Sequence, residues 1–252
     1  MDATHLSSAA PADSPATWHR CDIIESLAVE AVIGAAKPTH IINAAYRQRD
    51  QVSRICADAP DTIARAAVRA GARFVQLSTD LVFDGSLGRR YREDDPVSPL
   101  GDYGAAKVAG ERRVVSADPS AAILRTSLIY GAASAPQEQL VQRALTEDGI
   151  AFFTDEYRTA VHVDDLAAAT LDIAISDVAG VLHVAGTERQ NRLEFARVLA
   201  RALGLDSDRL IGRTQDPALG PRATDVSLDT TRSAGIGISL PGPTARLADG
   251  YS

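Results

Sequence analysis

The sequence predicts an α/β fold in which parallel strands are covered by helices, and three observations carry that prediction. Short apolar runs alternate with longer alanine-rich stretches of helical spacing, the strand-helix-strand pattern of a parallel sheet. The runs end in small or polar residues, Asn43 to Tyr46 after one and Ser78 to Asp80 after the next, at the carboxyl edge where open sheets of this kind bind ligands. The chain has 252 residues, enough to bury a substantial core as one large domain or a domain with a small second lobe.

Taken in order, Met1 to Arg20 is polar and alanine-rich with Pro11 and Pro15, and by itself reads as a loop. Asp22 is placed to open a helix running through Ala36, with Ile24, Leu27, Val29, Val32 and Ile33 on its apolar face and Pro38 as the stop. His40 to Asn43 then reads as a short buried strand. Arg47 to Ala59 is charged and helical in pattern, and Pro60 starts a second helical stretch ending near Gly71. Arg73 to Leu77 is the next strand, delivering Ser78, Thr79 and Asp80. Phe83 to Leu100 is a long polar loop, of the kind that in compact domains carries function or motion. Tyr103 begins a helix that continues past Glu111, and Ala121 to Arg125 is a strand. A segment leaving the sheet follows, from Gly131 to Gly149. Val161 to Leu166 leads into a helix near Asp164, and Gly180 to Val184 is again a strand. The next helix has an Asn cap at Asn191, Glu194 three residues on, and a Gly stop at Gly204.

Composition narrows the function. A formal charge of -7 argues against a nucleic-acid or anionic-membrane partner. Cys21 and Cys56 stand far apart without metal spacing and read as small buried hydrophobes in a reducing, cytoplasmic setting. No basic leader, no bilayer-length apolar stretch, no metal-spaced His and carboxylate set and no G-x-S-x-G elbow is present, so no metal is expected.

The chemistry concentrates between Val75 and Lys107. Tyr103 and Lys107 stand four residues apart, the spacing that puts two side chains on one helical face. A neighbouring ammonium lowers the pKa of a phenol from its usual value of about 10. A Tyr so tuned can pass a proton to or from a carbonyl oxygen, and a hydroxyl at the strand end, Thr79, can hold the same oxygen as charge develops on it.

The S-T-D-L-V-F-D-G run, the Y-G-A-A-K run with Gly110 and Glu111 behind it, and I-L-R-T-S-L-I-Y-G at Ile123 to Gly131 resemble the extended short-chain dehydrogenase/reductases, and within them the dTDP-4-dehydrorhamnose reductase group. The resemblance extends from about Asp22 to about Arg232. It implies a Rossmann-like, doubly wound parallel sheet with a small C-terminal substrate lobe. Residues 1–150 would form the dinucleotide-binding core, continuing through 160–185, with 186–252 mainly the substrate lobe and 131–159 contributing. It implies NADPH or NADH as cofactor and a nucleotide-linked 4-keto-6-deoxy sugar as substrate, with no nucleic-acid or membrane partner and a homodimer as a candidate assembly.

By the same resemblance Thr79, Tyr103 and Lys107 are the catalytic set. Asp22, Ile23, Ala44, Ala45, Tyr46 and Leu77, with Tyr103 and Lys107, are the cofactor-binding candidates. Thr79, Asp80, Leu128 and Arg158 are those for substrate. Alternatives stay open at several of these. Ala44 to Tyr46 also fits a tight turn with a solvent-facing Tyr, Ser78 and Thr79 fit strand-capping hydroxyls, Asp80 fits a turn cap, Arg125 fits an ion-pair partner, and His162 fits a structural hydrogen bond better than a proton carrier. Leu128 departs from the aromatic residue usual after R-T-S, which widens the range of sugars or carbonyls.

Proteins of the resembled group open with a strand, a glycine-rich turn and a helix whose N-terminus receives the cofactor pyrophosphate, whereas here the first glycine is Gly34. The T-H-L-S run at Thr4 to Ser7 corresponds to the group's second strand, with Ala3 to Leu6 as an edge strand. Ser7 and Ser8 stand where the adenine ribose is read. Without the first strand, two unpaired strand edges or a re-paired sheet are expected. Two functions follow: the reductase, or a non-catalytic sugar-nucleotide-binding or regulatory relative. An epimerase or dehydratase, which holds its cofactor through the whole cycle, fits less well.

Overall fold

The computed structural model describes residues 1–6, 14–131, 135–216, 218, 220 and 222–251. Ser7, Ser8 and most of the loop around Pro11 lie outside them. The chain runs β1 (Asp2–His5), β2 (Thr17–Arg20), α1 (Ser26–Ala36), β3 (His40–Asn43), α2 (Ala59–Ala70), β4 (Arg73–Thr79), α3 (Asp102–Ala117), β5 (Ala122–Thr126) and β6 (Ile129–Tyr130). It continues through α4 (Pro136–Ala144), β7 (Phe152–Phe153), β8 (Tyr157–Arg158), β9 (Val161–His162), α5 (Val163–Ala174), β10 (Gly180–His183), β11 (Gln190–Asn191), α6 (Arg192–Ala202), β12 (Gly212–Arg213), α7 (Thr231–Ala234) and α8 (Pro243–Arg246).

The central sheet is parallel throughout, with strand order β10-β5-β4-β3. Alternation along its strands supplies both faces. Phe74 and Ile123 join α1, α2 and α3 in one apolar cluster with Ala64, Ala67 and Val114. Their neighbours Val75 and Leu124 point the other way, to Leu166, Ile173 and Leu182 under α5. A third cluster, around Tyr130, Phe152, Phe195 and Leu199, sits under α4 and α6. Each such fully buried large side chain contributes about 1.5–3 kcal/mol.

Several boundaries move. Asp22 does not open the helix: its carboxylate accepts the Ile24 N–H at 3.1 Å in a turn, and α1 starts at Ser26. The stop at Pro38 stands, with Lys37 closing the helix in the left-handed conformation at φ 46°. The helical stretch expected from Arg47 starts later, since residues 47–51 lie outside any helix, and from Val52 it continues through a π-helical turn at Arg54–Asp58 into α2. Thr17–Arg20, which reads as loop, is a strand because it pairs in parallel with β1, a partner that local pattern does not show. The capping box at Asn191 is present in both directions, and Gly204 has φ 69°. His162 is the structural residue expected, its ring accepting the Asp164 N–H at the start of α5.

The predicted strand at His40 to Asn43 forms, but it is an exposed edge rather than a buried strand. Only Asn43 is buried and Ile42 is 38% exposed. β1 and β2 form their own two-stranded parallel sheet. Between β1 and β3 lies a cleft of about 490 Å³. Of the two expected outcomes for the sheet, unpaired edges is the one realised.

Candidate active site

β4 and α3 meet at the carboxyl end of the central sheet, and close packing sets their approach. A Cβ built on Gly104 would stand 2.2 Å from the Leu81 carbonyl oxygen, and one on Gly110 would stand 2.3 Å from that of Cys56. Only glycine allows α3 to lie this close to the turn after β4 and to the helix before α2. That approach carries Tyr103 and Lys107 over the strand end. Lys107 Nζ donates to the Leu77 carbonyl at 3.1 Å and stands 5.9 Å from the centre of the Tyr103 ring. The Tyr46 ring meets Tyr103 edge-on at 6.5 Å. Ile23, Ile24 and Tyr103 pack on Ile55, Cys56 and Ala106.

The structure thus brings Thr79, Tyr103, Lys107, Leu77, Tyr46 and Ile23 together. Asp22 is at the margin, engaged in its turn, and Ala44 and Ala45 line the cleft beside β3. Leu128 is held away from this group by packing against the apolar cluster of α4 and α6, and its carbonyl accepts the Val161 N–H at 2.8 Å.

The pKa of Tyr103 runs against the sequence expectation. Burial raises the phenol well above its usual value, the negative charge of neighbouring groups adds to the rise, and only a hydrogen bond with Thr79 pulls it down. Burial is the largest cause, and the Lys107 ammonium is engaged with the Leu77 carbonyl. Lys107 is itself lowered by burial, with Glu111 partly restoring it. Tyr103 is therefore a neutral phenol with its proton in place, suited to donate rather than to accept.

Behind the strand lies a buried ionic knot. Ser78 donates to Glu111, whose carboxylate takes the Arg125 guanidinium at 2.7 Å, with both charged side chains almost fully buried. The ion-pair alternative for Arg125 is what the fold realises, and Ser78 serves this knot.

A second network runs from the strand end into the outer elements. Thr79 donates to Asp80 at 3.2 Å, and Ser127 donates to the other Asp80 oxygen at 2.5 Å. Arg158 reaches Asp80 at 2.7 Å and Glu156 at 3.4 Å. Glu156 also holds Arg222 at 3.0 Å and lies 3.9 Å from Arg192. Burial lowers the Arg192 pKa to about 10. Asp80 and Arg158 thus face one another. Half-exposed Arg222 is the guanidinium of this network turned to solvent. Sequence reading did not single out Ser127, Glu156, Arg192 and Arg222 as site residues; Arg222 lies 66 residues from Glu156, so no local pattern marks the network.

The residues fit one end of a dinucleotide better than the other. Tyr103, Lys107 and Tyr46 suit a nicotinamide and its ribose, whereas no arginine, lysine or glycine is among the described residues lining the cleft at β3. Among the described residues no group of three His, Cys, Asp or Glu could hold a metal, and no helix is long and apolar enough to cross a membrane.

Comparison with known proteins follows this geometry. The sequence matches the family described as RmlD substrate binding domain over residues 3–247. It is 34% identical to the dTDP-4-dehydrorhamnose reductase of Mycobacterium tuberculosis (strain ATCC 25618 / H37Rv) over 192 residues, which cover 73% of this chain and 63% of that protein. The match thus spans less than two thirds of that relative's length. It is 31% identical over 245 residues to methionine adenosyltransferase 2 subunit beta of Xenopus laevis, covering 88% of this chain and 72% of that one. Among solved structures, dTDP-4-dehydrorhamnose reductase from Bacillus anthracis str. Ames in complex with NADP superposes with a TM-score of 0.83 at 22% identity, covering 96% of this chain and 91% of that one. That likeness establishes the Rossmann-like fold.

Proposed function

Because this chain belongs to the RmlD substrate-binding domain family, we propose that it is an NAD(P)H-dependent reductase of a nucleotide-linked 4-keto-6-deoxy sugar. The observation that carries the reading is the convergence of Thr79, Tyr103 and Lys107 at the carboxyl end of β4, with the Tyr103 proton held in place by burial. NADPH or NADH would supply the hydride when bound. The residues of the chain do the rest. Tyr103 donates its proton to the developing alkoxide oxygen. The Thr79 hydroxyl, which here donates to Asp80, turns to hold that same oxygen. Lys107 lies below the ring, where its charge favours the phenolate left after transfer.

Ala44, Ala45, Tyr46, Ile23 and Leu77 border the nicotinamide end, and Asp22 borders it through its turn. Asp80 and Arg158 orient Thr79 from behind, and Arg222 offers the exposed cation for a sugar phosphate. On this reading residues 186–252, with 131–159, form the substrate lobe over a core of 1–150 and 160–185.

One observation favours a second reading. Relatives named as a subunit of methionine adenosyltransferase 2 align over nearly nine tenths of the chain, and a subunit role fits the alternative of a non-catalytic sugar-nucleotide-binding or regulatory member. Titration of the 252-residue chain with NADH and NADPH, followed by reduction of dTDP-4-dehydrorhamnose, separates the two. Micromolar binding and turnover abolished by Tyr103→Phe support the reductase. Binding without turnover selects the second reading, and no binding to a folded chain overturns the first.

A further inference from the structure

The segment that leaves β3 carries cations that the proposed chemistry does not use. Arg47 and Arg49 are exposed, and neither guanidinium has an ion-pair or hydrogen-bond partner among the described residues. The cations nearby on the following helices are engaged, Arg54 with Glu25 at 3.7 Å and Arg113 with Asp58. The segment is nevertheless pinned beside the active site. The Tyr46 ring meets the Tyr103 ring edge-on at 6.5 Å. The Cys56 thiol donates to the Arg47 carbonyl at 3.5 Å, and Cys56 is itself buried in the cluster of Ile55 and Ala106 on which Tyr103 packs. Just past the arginines, Asp50 and Gln51 both hold left-handed backbone, with φ 39° and 54°. Side chains resist that conformation, and such strain gathers at ligand clamps.

We propose that Arg47 and Arg49 are specificity-determining residues that hold the diphosphate of the substrate from the core side, as Arg222 does from the lobe. This rests on the reductase reading above. A nucleotide-linked 4-keto sugar carries its diphosphate on C1, across the ring from the reacting C4. With the C4 oxygen at Tyr103, the negative charge therefore lies one sugar ring away. Tyr46 covers the start of that interval, and the next residue is Arg47. Guanidinium groups bind phosphate oxygens in pairs of parallel hydrogen bonds, and two of them match two phosphates. The order along the segment favours substrate over cofactor. Ala44 and Ala45, which border the nicotinamide end, are uncharged, and the first cation comes after Tyr46. On a chain of formal charge -7, unpaired cations at the entrance also draw in an anionic ligand, an effect that salt weakens.

The test compares the 252-residue chain with its Arg47→Gln/Arg49→Gln double variant. Affinity for dTDP is read by calorimetry without turnover, and KM and kcat are read with dTDP-4-dehydrorhamnose and NADPH. The Kd for dTDP and the KM for the sugar nucleotide should each rise about tenfold, with KM rather than kcat carrying the loss, and the KM for NADPH should stay within about twofold. The salt dependence of dTDP binding should become shallower. Arg47→Lys/Arg49→Lys keeps the charge without the planar fork and should fall between the two. Arg112→Gln removes an exposed, unpaired arginine of α3 and is the control for general surface charge. A folded double variant that binds dTDP as the parent does would overturn the proposal. So would a loss confined to NADPH, an equal loss in Arg112→Gln, or a parent that binds no dTDP at millimolar concentration. A parent that binds dTDP but does not reduce the sugar removes the reductase reading instead, and the dTDP comparison still decides the role of the two arginines.

Discussion

Replacing Gly104 with alanine tests whether close packing of α3 on the turn after β4 positions the site. Two effects oppose each other. Alanine in a helix interior is favoured over glycine by about 1 kcal/mol. Against this, the new Cβ would stand 2.2 Å from the Leu81 carbonyl oxygen and 2.9 Å from Pro99 Cβ. The nearer contact is with backbone and cannot be relieved by a rotamer, so α3 or the Asp80–Val82 turn must give by about 1 Å, an overpacking cost of roughly 1–3 kcal/mol. The sign therefore favours destabilisation, by about 1 kcal/mol net, or a fall in Tm of about 2–4 °C for a chain of this size. The larger consequence is geometric: a shift of about 1 Å in Tyr103 relative to Thr79 is expected to lower kcat roughly 100-fold. Thermal melting and turnover of the two proteins read both effects. Gly101→Ala is the control, since a Cβ there meets nothing within 4 Å. A Gly104→Ala protein as stable and as active as the parent would refute the reasoning.

Glu111→Gln should cost about 3 kcal/mol in urea denaturation, because it strips the charge partner from buried Arg125. The double replacement Glu111→Leu with Arg125→Met should cost less than that single change, since neither charge is then left alone in the interior. Asn191→Ala removes the side chain that accepts the Glu194 N–H at 2.9 Å and should cost about 1 kcal/mol in the same assay, with no change in cofactor affinity. His183 is buried, its Nδ1–H donating to the Asp229 carbonyl at 3.2 Å, and burial lowers its pKa below 6.5. The folded state thus binds a proton less readily than the unfolded one. Stability from this group is complete above about pH 6.5 and falls as the pH drops toward the folded pKa, and His183→Gln should flatten the stability profile below about pH 6.5.

Local sequence sufficed where the causes are local. The Tyr103 and Lys107 spacing, the cap at Asn191 and the stop at Gly204 depend on residues within a few positions, and so did the alternation that gave the parallel sheet with Thr79 at its carboxyl edge. The tertiary structure decided what depends on distant neighbours. Thr17–Arg20 is a strand because β1 lies beside it, and His40–Asn43 is exposed because among the described residues no strand pairs with its other side. Ser78 belongs to Glu111, 33 residues on, and Asp80 to Arg158, 78 residues on, partners that no spacing rule connects. The Tyr103 phenol rises rather than falls because its pKa sums the desolvation contributed by every element packed around it. Spacing places an ammonium nearby, but only the fold sets how much water is left and which carbonyl the ammonium turns to.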